Sequence, residues 1–308
     1  MGSNRRLFFA WSIFLVAALS FIMTVEMYHN SRKERSSNFQ YRILIDKSSI
    51  IENEEKNSDA TKLEDKKINK ESELYERTKY GYLPKISKDG ICVFDEYSAH
   101  SGAGSKKELR IAVLVDDINK VETAVKLNNQ KITFIVPHYI DNFESVIKII
   151  RENGHEFFLQ MPTQSSIPAN KKEIVSPFLA NADVSTTLDK LFYLLASTKY
   201  AIGIANISTT LLTKSKKDMT AIADSLAQRG LAFFDFENTN DFLQNIAEKS
   251  SLFYVQAAKV FEVEEVDISK LQNGDVLMIR LTCFENFVKK LTSDWLLAPI
   301  SAAIRKQP

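Results

Sequence analysis

Two carboxylates close an apolar run, Arg110-Ile-Ala-Val-Leu-Val-Asp116-Asp117, and they are the residues best placed to do chemistry. Such a pair can serve acid/base chemistry or bind a metal ion. The same pair can also be only the polar turn that leaves a core strand. Further candidates sit at the ends of other apolar runs: His138 after Ile135-Val136-Pro137, then Gln160, Asn206, Asp235 and Arg280. Arg280 offers a fixed cation that would keep Asp116, Asp117 or Asp235 ionised without a metal. Of the four histidines, His29 abuts an N-terminal apolar segment and His100 precedes the first strand. His155 opens its run instead of closing it, so it reads as a structural corner histidine. That leaves His138 as the histidine expected near the aspartates. If any metal binds, Asp117 and His138 are its expected ligands.

These side chains need elements to position them. Five successive apolar residues before Asp116 read as a strand buried on both faces. Comparable runs occupy 110–115, 132–136, 156–161, 200–205, 231–235, 252–256 and 275–281. Helical periodicity occupies 141–153, 185–198, 216–229, 240–249 and 284–293. Gly154 and Gly230 follow helical runs, where a left-handed C-cap is expected. Strand–helix alternation implies a parallel sheet. About seven such units over roughly 200 residues predict an α/β fold, an irregular (β/α) barrel of about seven strands. In such folds the chemistry gathers at the C-terminal strand ends, where the candidates above are placed.

The rest of the chain has a different character. Leu7 to Val25 is uncharged and mostly apolar, long enough to cross a hydrocarbon core of about 30 Å. It reads as one uncleaved transmembrane helix, because it exceeds the usual h-region of a signal peptide and Phe21, Ile22 and Met23 follow its small residues. Basic residues flank it on both sides, so charge does not set its orientation. Residues 30–104 mix charges of both signs and predict a charged flexible linker. The domains are therefore 1–29 anchor, 30–104 linker and 105–308 barrel. A net charge of +1 gives no reason to expect nucleic acid. Two distant cysteines, Cys92 and Cys283, form no CxxC pattern. Gly102 to Lys107 lacks P-loop spacing, and no GxSxG elbow occurs. Asn206-Ile-Ser208 fits a glycosylation sequon, a short match common by chance. The polar segment Ser165–Asp183 reads as a lid or a partner-binding loop.

Five blocks in order carry a resemblance: Arg110–Asp117 (RIAVLVDD), Lys131–His138 (KITFIVPH), Gly154–Pro162 (GHEFFLQMP), Gly203–Thr213 (GIANISTTLLT) and Arg229–Asp235 (RGLAFFD). Together, over about 105–301, they resemble the divergent polysaccharide deacetylase family. The resemblance implies a distorted (β/α) barrel related to metal-dependent carbohydrate esterases, and a bacterial protein that is exported or membrane-anchored. It implies that one aspartate is a general base, while the second aspartate and two histidines hold a divalent metal, commonly zinc. Asp116 and Asp117 match the aspartate pair. Ile207 stands where the NHMGS-type loop has histidine, with Ser208, Thr209 and Thr210 in place of Met-Gly-Ser. Arg280 and Leu281 stand where an IGHP-type strand has glycine and histidine, and Thr163-Gln164 replaces Met-Glu after Pro162. Aliphatic side chains offer no lone pair, and two aspartates alone suit zinc poorly. The expectation is an inner-membrane, single-pass protein with its folded domain in the periplasm and an impaired deacetylase site. No cofactor is expected unless zinc or another divalent metal finds a rearranged site. The expected partners are the inner membrane, through residues 7–25, and a cell-envelope glycan or protein. The alternatives are an active carbohydrate N-deacetylase with a rearranged site and a non-catalytic envelope scaffold.

Overall fold

The computed structural model describes residues 72–99, 107–127, 130–168, 176–180, 182–208, 210–236, 241–257, 259–260 and 267–306. The expected anchor at 7–25 and the Gly102–Lys106 stretch lie outside them. No helix among the described residues is long and apolar enough to cross a membrane.

The strands, in chain order, are β1 Tyr75–Thr78, β2 Gly81–Pro84, β3 Lys107–Leu114, β4 Thr133–Val136, β5 Glu156–Gln160, β6 Gly203–Asn206, β7 Ala232–Asp235, β8 Phe253–Gln256, β9 Lys259–Val260, β10 Val276–Arg280, β11 Trp295–Ala298 and β12 Arg305–Lys306. The helices are α1 Val93–Tyr97, α2 Val121–Lys126, α3 Phe143–Glu152, α4 Val184–Leu195, α5 Leu211–Lys214, α6 Lys216–Gln228, α7 Asp241–Ser250 and α8 Leu281–Lys290. Seven strands, in the order β8-β7-β6-β5-β4-β3-β10, pair in parallel and form an α/β half-barrel. The short β9 extends it beside β10, and β12 lies antiparallel on β8. Each of the seven expected strands and five expected helices is present within a few residues of its predicted bounds.

Alternation along the strands gives the half-barrel two apolar faces. Ile111, Val113, Phe134, Val136, Phe157, Leu159, Ile204, Phe233, Leu277 and Ile279 face the helices, where Ile150, Leu191, Ile222, Leu226 and Phe284 cover them. Ala112, Leu114, Ile135, Phe158, Ala205, Phe234, Val255 and Met278 face the interior, packed with Ile300 and Ile304. With both faces covered, a strand needs no polar alternation. That is why Ile111–Val115 is continuously apolar and fully buried. Gly203 sits where the sheet leaves no room for a side chain. A Cβ there would lie 2.0 Å from the carbonyl oxygen of Ala232, its register partner on β7.

Residues 73–99, inside the stretch read from composition as linker, form the β1–β2 hairpin and α1. Leu74, Tyr75, Leu83, Cys92, Val93 and Phe94 are buried there, while Tyr82, Ile86 and Ile91 stay exposed. Phe94 stacks on Phe253 with ring centroids 4.4 Å apart. Gly230, at φ +64°, ends α6 in the left-handed conformation, and a Cβ there would come within 2.1 Å of the Cys92 Cβ.

The N-terminal ends of the strands carry a buried polar knot. Glu156, wholly buried at the start of β5, accepts hydrogen bonds from the Thr133 hydroxyl (2.5 Å), Ser301 N–H (3.0 Å) and Ala99 N–H (2.7 Å). Thr133 Oγ1 in turn accepts from Ile300 N–H at 2.7 Å. One carboxylate thus ties the segment before the barrel and the C-terminal turn to two central strands. His155 Nδ1 accepts from Ile132 N–H at 3.2 Å. Burial pulls its pKa down to about 4, so it stays neutral. It is the structural corner histidine expected from its position.

Candidate functional site

The C-terminal strand ends bring some of the candidates together and leave others apart. Asp116 and Asp117 follow β3, and each is engaged locally. Asp117 Oδ1 accepts from Asn119 N–H (3.0 Å) and Nδ2–H (3.2 Å), capping the short 3₁₀ turn Ile118–Lys120. The Asp116 carboxylate reaches to the next strand's helix. Its Oδ1 accepts from Thr282 N–H at 3.1 Å, and its Oδ2 accepts from the Thr282 hydroxyl at 2.8 Å. Arg280, at the end of β10, is exposed, and no ion pair joins it to Asp116, Asp117 or Asp235 among the described residues. The cation expected to stabilise the carboxylates is therefore replaced by hydrogen-bond donors.

Asn206 and Asp235 do meet. They end β6 and β7 at the same register level, and Asn206 Nδ2–H donates to Asp235 Oδ1 at 3.0 Å. Both are buried. The Tyr254 hydroxyl donates to Asp235 Oδ2 at 3.4 Å. Burial, reinforced by the Asp235 charge, pushes the Tyr254 pKa up, so the hydroxyl keeps its proton and remains a donor. Buried in this way, Asn206 does not offer its amide for glycosylation.

A cluster of hydroxyls adjoins this pair, and the sequence reading missed it. Ser208 N–H donates to Asn206 Oδ1 at 3.4 Å. Ser208 Oγ lies 2.8 Å from Thr163 Oγ1 and 3.1 Å from Ser165 Oγ. Ser166 O accepts from the Tyr139 hydroxyl at 2.8 Å and from Gln160 Nε2–H at 3.4 Å. Gln160 is thereby placed, and His138 is not. Its Nδ1 is buried without a hydrogen-bond partner, and burial lowers its pKa, so the ring is neutral near pH 7. The only available sequence signal was the density of hydroxyl residues after β5 and β6, Thr163 to Ser166 and Ser208 to Thr210. The Ser165–Asp183 loop is held at Pro177 and Phe178. Phe178, buried, pairs with Thr163, and Lys190 Nζ donates to Pro177 O at 2.6 Å.

The family model for divergent polysaccharide deacetylases matches residues 113–272, more than half the chain and most of the half-barrel. The chain belongs to that family. Among solved structures, a divergent polysaccharide deacetylase such as this is similar to an uncharacterized protein of Agrobacterium tumefaciens C58. The identity is 16%, the TM-score is 0.62, and 72% of this chain and 99% of that one are covered. At that identity the likeness shows the fold. Slighter likenesses are to the chitin deacetylase of the fungal pathogen Colletotrichum lindemuthianum and the family 4 carbohydrate esterase of Streptomyces lividans in complex with acetate. The first has 9% identity, TM-score 0.39, and covers 66% of this chain and 90% of that one. The second has 9% identity, TM-score 0.33, and covers 59% and 86%. No curated protein sequence matches the chain.

The zinc site that the family resemblance implies does not fit the residues present. Ile207, where a histidine is expected, is half-buried against the interior apolar cluster. Leu281, the other such position, is buried in the helix-side core. No three His, Cys, Asp or Glu side chains converge as a metal site would require among the described residues. The buried Gln160, Asn206 and Asp235 close β5–β7 instead, and beyond them the Ser165 and Ser208 hydroxyls reach the surface, where they can donate to and accept from a ligand without a metal.

Proposed function

We propose that this divergent polysaccharide deacetylase is a membrane-anchored cell-envelope protein whose barrel no longer performs metal-dependent deacetylation and binds an envelope glycan or protein. The observation that carries the reading is the donor set. Both positions matched to histidines are aliphatic and packed into apolar clusters, and both aspartates are engaged by Thr282 and Asn119. The exposed Ser165 and partly exposed Ser208 hydroxyls, held by the buried Thr163 and Asn206, supply exchangeable donors and acceptors of the kind a polyhydroxyl ligand would need. The apolar stretch 7–25 supports the anchor, and the family supports an envelope location.

The test is acetate release from an N-acetylated glycan by the full-length protein in detergent, with and without added zinc. The reading expects no turnover above that of Asp117→Ala. Zinc-dependent turnover that Asp117→Ala abolishes would refute it and establish an active enzyme with a rearranged site.

A further inference from the structure

We propose that Asp116 serves in this chain as a brace that tethers the end of β3 to the start of α8, and not as a base or a metal ligand. The inference rests on the non-fitting donor set behind the proposed function and gives the first aspartate a positive role. Helix α8 begins directly at the end of β10, with Arg280 at its N-cap, and the Arg280 side chain makes no capping hydrogen bond. The first N–H groups of a helix need acceptors from outside it. Asp116 supplies one from a neighbouring strand. Its Oδ1 takes the Thr282 N–H, at the second helical position, and its Oδ2 takes the Thr282 hydroxyl. Arg280 is the register partner of Leu114, two residues before Asp116, so the loop after β3 starts beside the helix it caps.

The charge suits the place. A carboxylate at a helix N-terminus is stabilised by the aligned peptide dipoles, and α8 carries Lys289 and Lys290 at its opposite end. Both carboxylate oxygens are already engaged by donors, which competes with a cation for them. The resemblance matched this aspartate to a catalytic pair. The structure shows it doing the work of a serine or asparagine N-cap, delivered from a distant part of the chain.

Urea unfolding of the full-length protein in detergent tests the brace, using wild type, Asp116→Ala, Asp116→Asn, Thr282→Val and the double variant Asp116→Ala/Thr282→Val, each with and without zinc chloride. Asp116→Ala should raise the unfolding equilibrium constant about fivefold, the usual loss for a helix cap. Asp116→Asn keeps an acceptor for the N–H and a donor for the hydroxyl, so it should stay within about twofold of wild type. Thr282→Val should lie between, and the double variant should match Asp116→Ala, because Asp116→Ala already removes the hydrogen bond that Thr282→Val removes. Zinc should shift none of them. The brace is refuted if Asp116→Ala is as stable as wild type, if the two single effects add, or if zinc stabilises wild type but not Asp116→Asn. Should Asp116→Ala not fold, Thr282→Val and Asp116→Asn still decide. Absence of a brace with no acetate release would leave the proposed function standing. Zinc-dependent acetate release with the brace intact would overturn the function and the exclusion of a catalytic role for Asp116, and leave only the tether.

Discussion

Replacing Glu156 by glutamine probes the knot that holds both ends of the folded chain to the half-barrel. Three donors converge on its two oxygens: the Thr133 hydroxyl and the Ser301 and Ala99 N–H groups. Glutamine keeps one acceptor oxygen and presents an NH2 group in place of the other. With its oxygen toward Ala99, the amide faces Thr133 and Ser301. The hydroxyl can turn to accept, but the Ser301 N–H cannot. With the oxygen turned the other way, the Ala99 N–H loses its partner. Either orientation strands one buried backbone donor, a loss of about 1–3 kcal/mol. One effect opposes it. Burial pushes the Glu156 pKa up, so removing the charge relieves part of a desolvation penalty. The stranded donor should win, with a net loss of roughly 1–2 kcal/mol, a sizeable share of the ~5–15 kcal/mol typical of a whole domain. Thr133→Val removes the hydroxyl that bonds both Glu156 and Ile300 N–H, so the two changes should be non-additive. Urea unfolding followed by circular dichroism measures both. An unchanged midpoint for Glu156→Gln, or strict additivity with Thr133→Val, would show that the knot does not hold these segments.

Other expectations follow from single contacts. Gly203→Ala should destabilise by at least about 1–3 kcal/mol, because its Cβ would collide with Ala232 O and the Phe158 ring; a melting temperature equal to wild type would contradict the sheet geometry. Asn206→Ala should cost about 1–3 kcal/mol by leaving the buried Asp235 carboxylate without its amide donor, read by the same unfolding curve. His155 sets a pH dependence. Its pKa falls from the usual 6.5 to about 4, so its contribution is complete above pH 6.5 and is lost as pH falls toward 4. The loss is about 3 kcal/mol at ~1.4 kcal/mol per unit. Glu156 works in the opposite sense, since a raised carboxyl pKa favours the fold at lower pH. His155→Asn, which keeps an acceptor near Nδ1, isolates the histidine and should flatten the difference in stability between pH 6.5 and 4.

Much of the framework was legible in the sequence because a strand covered on both faces writes itself as an unbroken apolar run. Ile111–Val115 and Phe157–Leu159 are examples. The hairpin at 75–84 was not legible. Its strands are four residues long, and Leu74 and Leu83 are the main buried anchors among charged neighbours, so composition outweighed them. The Asn206–Asp235 contact could be anticipated from two polar residues ending adjacent strands. The hydroxyl cluster could not, since Thr163 and Ser208 are 45 residues apart and meet only through loop conformation. Arg280 misled for a related reason. A cation at a strand end is free to turn to water, and the backbone and hydroxyl of Thr282 were closer partners for Asp116. The resemblance located the family, and the departures at Ile207 and Leu281 located the difference within it.

The central claim is that this deacetylase fold lacks the donor set for its metal. Elemental analysis of the full-length protein, purified without chelator and dialysed against excess zinc followed by metal-free buffer, tests it most directly. Zinc should stay far below one equivalent per chain, unchanged in Asp117→Ala and His138→Ala. One zinc per chain, lost in either variant, would contradict it.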